Sequence, residues 1–197
     1  RQNNDNISIL IKNFDLSIKK NNFDDMEKLL KKLIVYFHQK NILIHFSEEY
    51  YEKLKKFSPN NTNIELNELM CLIFSLNGYI PEKWIKYKPR DHEISFAISL
   101  IKGDFKEKPF INTSIQKSIL SSFSKNINHD NEKSFTNLQL KSNGLSMLTS
   151  LKMLDNGYKS SNDEIKNALF LLNKTNHKKD TINIAIELLV NSSIKKW

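Results

Sequence analysis

The chain has 197 residues, of which 39% are hydrophobic and 26% charged, and its formal net charge is +8. That length can bury one sizeable core or one continuous helical stack. Four glycines and four prolines are too few for sandwiches, barrels or phosphate-cradling α/β folds, all of which need turn glycines.

In chain order, a first helix is expected over about residues 5–20, with Ile7, Leu10, Ile11, Phe14 and Ile18 on one face. Asn21 and Asn22 break it. Asn22 is placed to cap a second helix, whose positive end suits Asp24 and Asp25. Its stripe is Met26, Leu29, Leu30, Leu33, Ile34 and Phe37, spaced by threes and fours. The two helices should form an antiparallel hairpin. Residues 42–46 fit either a short extended segment or a buried turn. Ser47 followed by Glu48 and Glu49 reads as a fresh helix start, with Tyr50, Leu54 and Phe57 inward, and Pro59 with Asn60 and Asn61 ends it.

A helix over about residues 63–76 follows, along Ile64, Leu66, Leu69, Met70, Ile73 and Phe74, with Gly78 as its left-handed stop. Pro81 opens a short helix bearing Trp84, and Pro89 closes it. Asp91 can cap the next helix, which carries Ile94, Ala97, Ile98 and Ile101 and ends at Gly103. Pro109 leads to a helix over about residues 112–126, with Ile115, Ile119, Leu120 and Phe123 inward. Residues 126–133 are polar and lack a period, so a flexible loop is expected there. Phe135 and Leu138 begin another helix, which the triplet Ser142, Asn143, Gly144 kinks or breaks before Leu145, Leu148 and Leu151. Asn156 and Gly157 stop it. Ser161 and Glu164 form a capping box for a helix carrying Ile165, Ala168, Leu169 and Leu172. The last helix carries Ile182, Ala185, Ile186 and Leu189, and residues 192–197 continue it or fray. Asn-Gly-Tyr occurs at residues 77–79 and again at 156–158, each time after a helix; this fits a distant duplication or shared helix-ending chemistry, and the latter is the favoured reading.

Each stripe buries only one face of a helix, so each helix needs a neighbour. The fold class is therefore all-α, with stacked antiparallel helix hairpins as either an α-solenoid or a compact bundle. Residues 1–197 read as one helical domain. Arg1 in place of Met implies a processed product or a piece of something longer.

The segments Asn22, Phe23, Asp24, Asp25, Met26, Glu27 and Lys102, Gly103, Asp104, Phe105 look like the polar turns inside tetratricopeptide repeats. Ala168 and Ala185 stand as small contact residues. On these features the chain resembles tetratricopeptide-like α-solenoid domains at the level of architecture, without the family's 34-residue pattern. The resemblance implies a groove or concave face that binds peptides or another domain.

Little else points to chemistry. The five histidines, His38, His45, His92, His129 and His177, include no pair at one-turn spacing, and Cys71 is the only cysteine. No metal site or cofactor is expected. Cys71 sits among Leu69, Met70 and Ile73, where a thiol packs as a small hydrophobe. The acidic groups Asp24, Asp25 and Glu27, Glu48, Glu49 and Glu52, and Asp163 and Glu164 all fall in expected first turns, where they complement the helix dipole. No Gly-rich phosphate loop and no nucleophile elbow is present, so catalysis by this chain is not expected.

One basic–aromatic run stands out: Lys83, Trp84, Ile85, Lys86, Tyr87, Lys88, Pro89 and Arg90. Here Lys83, Trp84, Lys86, Tyr87, Lys88 and Arg90 are the candidate contacts to a polyanion or partner, with aromatics stacking and cations holding phosphates. The competing reading makes Trp84 an anchor and the lysines a solvated face. Only Arg1 and Arg90 are arginines, so the charge is diffuse rather than built for bidentate readout. Abundant Asn, Lys and Ile fit a low-GC bacterial genome, which itself supplies lysine. The expected partner is another protein or another domain of the same chain, and nucleic acid is the less favoured alternative. A second alternative is the non-catalytic helical region of a larger bacterial enzyme, surface-glycan or secretion related. No membrane span is expected, because His38, Gln39, Lys40 and Asn41 interrupt the most apolar stretch; the expected location is cytoplasmic.

Overall fold

The computed structural model describes residues 2–103, 111–123, 135–175 and 177–194. The expected loop at 126–133, His129, Asp104, Phe105, Pro109 and the end at 195–197 lie outside them. Among the described residues there are no strands, and the chain forms ten α-helices. They are α1 (Gln2–Lys20), α2 (Phe23–Gln39), α3 (Leu43–Leu54), α4 (Ile64–Leu76), α5 (His92–Lys102), α6 (Ser114–Phe123), α7 (Asn137–Lys141), α8 (Asn143–Met153), α9 (Asn162–Lys174) and α10 (Lys178–Ser193). Short 3-10 turns occupy Glu82–Trp84 and Gly157–Lys159.

Local chemistry sets most boundaries. Asn22 Oδ1 accepts from the Asp25 N–H at 3.2 Å, and Asp91 Oδ1 accepts from the Ile94 N–H at 2.9 Å. Ser161 and Glu164 complete the reciprocal capping box. α1, α2 and α4 all end in the same way. The chain turns left-handed at Asn21, Asn41 and Gly78 (φ 51°, 56° and 66°). The following N–H then reaches back to the last turn, as in Asn22 to the Ser17 carbonyl at 3.0 Å and Ile42 to the Phe37 carbonyl at 3.0 Å. Gly103 and Gly157 also have positive φ.

The expectation for residues 42–47 is corrected. α3 already begins at Leu43, and Leu43, Phe46, Tyr50 and Leu54 form its buried stripe. Ser47 lies inside the helix, fully buried, and its hydroxyl donates to the Ile44 carbonyl at 2.7 Å. It therefore bonds back along the helix instead of capping it. Glu48 and Glu49 accordingly fall outside the first turn.

α4 organises the core. Every residue from Leu66 through Leu76 is buried, and a helix that is apolar all round must be enclosed. It packs against α2, α3, α5 and α10. Two of its few polar residues each fasten a neighbouring loop. Asn67 accepts from the Asn60 N–H at 3.1 Å and donates to the Asn60 carbonyl at 2.8 Å. Glu68 accepts from the Tyr87 hydroxyl at 3.0 Å and from the N–H groups of Arg90 and Asp91 at 2.9 and 3.2 Å. Cys71 lies fully buried on the same helix, and burial pushes its thiol up.

The C-terminal part builds on α9, which packs against α6, α8 and α10. α10 returns to α4 and α5. This long-range contact brings the last described helix onto the most buried one.

Candidate interaction surface

Three side chains of the basic–aromatic run tie it to neighbouring elements. Trp84 is only 1% exposed, and its indole N–H donates to the Phe57 carbonyl at 2.9 Å. Its ring stands edge-on to Phe74 at 5.2 Å and to Tyr87 at 5.6 Å. Tyr87 is half-buried, and its hydroxyl is pushed up to about 12, first by burial and then by the Glu68 carboxylate. Lys83 Nζ donates to the Lys56 carbonyl at 3.1 Å. The side chains of Lys83, Lys86, Lys88 and Arg90 remain exposed, together with Ile85. The structure thus gathers these cations on one exposed segment but turns Trp84 inward, so its ring faces protein.

A different surface emerges on α8, where the usual sidedness is reversed. Ser146 and Ser150 are buried, whereas Leu148 and Leu151 are 67% and 54% exposed. The Ser150 hydroxyl reaches the Ser146 carbonyl at 2.7 Å and the Ala168 carbonyl of α9 at 3.1 Å. The Ser146 hydroxyl donates to the Gln139 carbonyl. The small Ser150 facing Ala168 lets α8 sit close to α9, and each of the two buried hydroxyls finds a carbonyl. The leucines, three residues apart, are left together on the outer face.

This face runs into a cleft. Leu151 also lines a cavity of about 660 Å³ with Leu154, Tyr158, Ile184 and Leu188. A smaller cavity of about 200 Å³ adjoins it, walled by Ile42, Leu43 and Leu76. The two cavities share His38, Asn41, Glu187 and Asn191. His38 Nδ1 lies 3.0 Å from Asn191 Oδ1. The carboxamide oxygen accepts from the ring when the proton sits on Nδ1. Glu187 is half-buried, and burial raises its carboxyl above the ordinary range.

The remaining histidines do not converge. His45, His92 and His177 are exposed; His45 sits 3.6 Å from Glu48 and His177 3.3 Å from Asp180. Among the described residues, no three His, Cys, Asp or Glu side chains are grouped to hold a metal ion. No described helix is long and apolar enough to cross a membrane.

Sequence reasoning missed both the reversed helix and the cleft. For α8 a signal was present: Ser142, Ser146 and Ser150 recur every four residues, a stripe of small side chains suited to close approach. For the cleft there was none, because His38 and Asn191 lie 153 residues apart.

No protein-family model matches the chain, and neither a curated protein nor a solved structure matches it.

Proposed function

We propose that this chain is a helical protein–protein interaction or scaffolding module without catalysis of its own, similar in kind to tetratricopeptide-like α-solenoid domains. The reading is supported above all by α8, which exposes Leu148 and Leu151 while burying Ser146 and Ser150. Single exposed leucines are ordinary on protein surfaces. A pair on one helical face, continuous with a cleft that Leu154, Ile184 and Leu188 help to line, has the character of a contact surface. The partner is another protein or another domain of the polypeptide to which these residues belong. In the second case the chain is the non-catalytic helical part of a larger enzyme.

The test is affinity capture with the full chain and with a Leu148→Asp/Leu151→Asp variant of unchanged melting temperature. A discrete protein held at high salt by the parent chain and lost by the variant is the expected result. Equal capture by both would sink the assignment.

A second reading, polyanion binding, draws on the exposed Lys86, Lys88 and Arg90. It requires retention that weakens steeply as salt rises and is lost when Lys83, Lys86 and Lys88 become Glu.

A further inference from the structure

The two cavities meet at side chains that α2 and α10 deliver from far apart in sequence. Glu187 and Asn191 are one turn apart on α10 and share a face. Asn191 is held by His38, as described. Glu187 is not held in this way. Among the described residues it makes no salt bridge, with His38 or with any lysine or arginine. A carboxylate drawn partly out of water without a cation is a standing cost. A ligand bringing positive charge would relieve that cost.

The walls narrow the choice. Ile42, Leu43 and Leu76 on the smaller side, with Leu154 and Leu188 on the larger, are apolar; Asp155 and Lys159 also line the larger cavity, and Lys159 forms no ion pair with Glu187. The apolar walls suit an alkyl stem. Glu187 and the Asn191 carboxamide suit the charged, hydrogen-bonding head at its end. The smaller cavity, about 200 Å³, is below the range of roughly 300–1,000 Å³ typical of drug-sized ligands, and so fits one side chain better than a whole cofactor. Leu151 belongs both to the exposed face of α8 and to the larger cavity. A chain lying over that face therefore reaches the junction.

We propose that the junction at Glu187 and Asn191 receives the ammonium or guanidinium of a lysine or arginine carried by the segment that docks on the Leu148 and Leu151 face. The proposal rests on the reading of that face as an interaction surface and names the chemistry of its partner: apolar residues beside one buried cation.

n-Butylguanidinium serves as the side-chain mimic and n-butyrate as the control, each titrated into the full chain and followed by NMR at the Asn191 side-chain amide and the His38 ring. Saturable shifts with n-butylguanidinium at millimolar strength are expected, as befits a small fragment, with none from butyrate. Glu187→Gln, which keeps shape and removes charge, should weaken the response by at least about tenfold. Equal shifts in the parent and Glu187→Gln, or none in the parent, would overturn the site. Micromolar binding of the free cation would overturn the assignment to a partner's side chain, since it would mark a diffusible ligand. Leu148→Asp alone, at a residue that lines neither cavity, should leave the titration unchanged. Equal capture by the parent and the Leu148→Asp/Leu151→Asp variant, or none by the parent, with the titration intact therefore counts against the partner surface alone, and capture lost in that variant without a titration in the parent counts against the cation site alone.

Discussion

Asn183 on α10 lays its side-chain oxygen against the bare Cα of Gly78, so closely that a Cβ there would stand 2.3 Å from it. The turn that ends α4 is thus keyed to α10 by a residue that must lack a side chain. The same glycine has φ 66°, a conformation other residues adopt at a cost.

Gly78→Ala should therefore destabilise the fold for two separable reasons. The left-handed backbone alone costs about 1–2 kcal/mol, and the contact with Asn183 adds to it. Asn183→Ala introduced into Gly78→Ala should recover only the contact part. A double-mutant cycle by denaturant unfolding checks this: full recovery in the double variant would mean the backbone carries no strain, and no recovery would mean the contact is harmless.

Glu68 gathers three donors from residues 87–91 on one carboxylate. Replacing it with Gln keeps the shape, removes the charge and puts an NH₂ where an acceptor is needed, at an expected cost of about 1–3 kcal/mol. The Tyr87 hydroxyl, now at about 12, should titrate lower in Glu68→Gln. It should still lie above its ordinary value of 10.0, because burial is the larger cause. Ultraviolet titration of the tyrosines in both proteins gives the answer; an unmoved Tyr87 would remove Glu68 from the explanation.

On α8 the sign of the usual rule should invert. Ser150→Leu adds an apolar side chain where a helix normally welcomes one, yet it must wedge α8 from Ala168 and should cost about 1–3 kcal/mol. Leu148→Asp puts a charge on the same helix and should change stability by no more than about 0.5 kcal/mol. Thermal unfolding of the two variants decides between this and a conventionally sided helix, which would give the opposite order.

Glu187 should make stability depend on pH. Its carboxyl is raised by burial in the folded chain, so between the unfolded and folded values the native state holds more protons than the unfolded state. The favourable state of this group is present below its ordinary value of 4.5 and is lost as pH rises through the raised value. Glu187→Gln should therefore melt higher than the parent at neutral pH, and the difference should shrink towards pH 4. Parallel melting curves at all pH values would contradict the burial.

Reading the sequence for fold succeeded where the determinants are local. Asn22, Asp91 and Ser161 cap the helices their side-chain chemistry announces, and Gly78, Gly103 and Gly157 stop chains where a positive φ is needed. It failed at Ser47, because a serine before two glutamates fits a cap and a helix interior alike. The wider stripe through Leu43, Phe46, Tyr50 and Leu54 was the better guide. For the site, the basic run was visible but the inward turn of Trp84 was not, since only the Phe57 carbonyl and Phe74 explain it. The junction of His38, Glu187 and Asn191 exists only once α10 has folded back, and no local pattern encodes that return.

The enclosure of α4 also bears on how the protein is made. α4 ends at Leu76, whereas α10, one of the four helices that cover it, begins at Lys178. A nascent chain leaving the ribosome therefore carries an apolar helix with one flank bare while roughly a hundred further residues are added, the kind of exposure that invites association between incomplete chains. Translation has to reach α10 before that flank is sheltered.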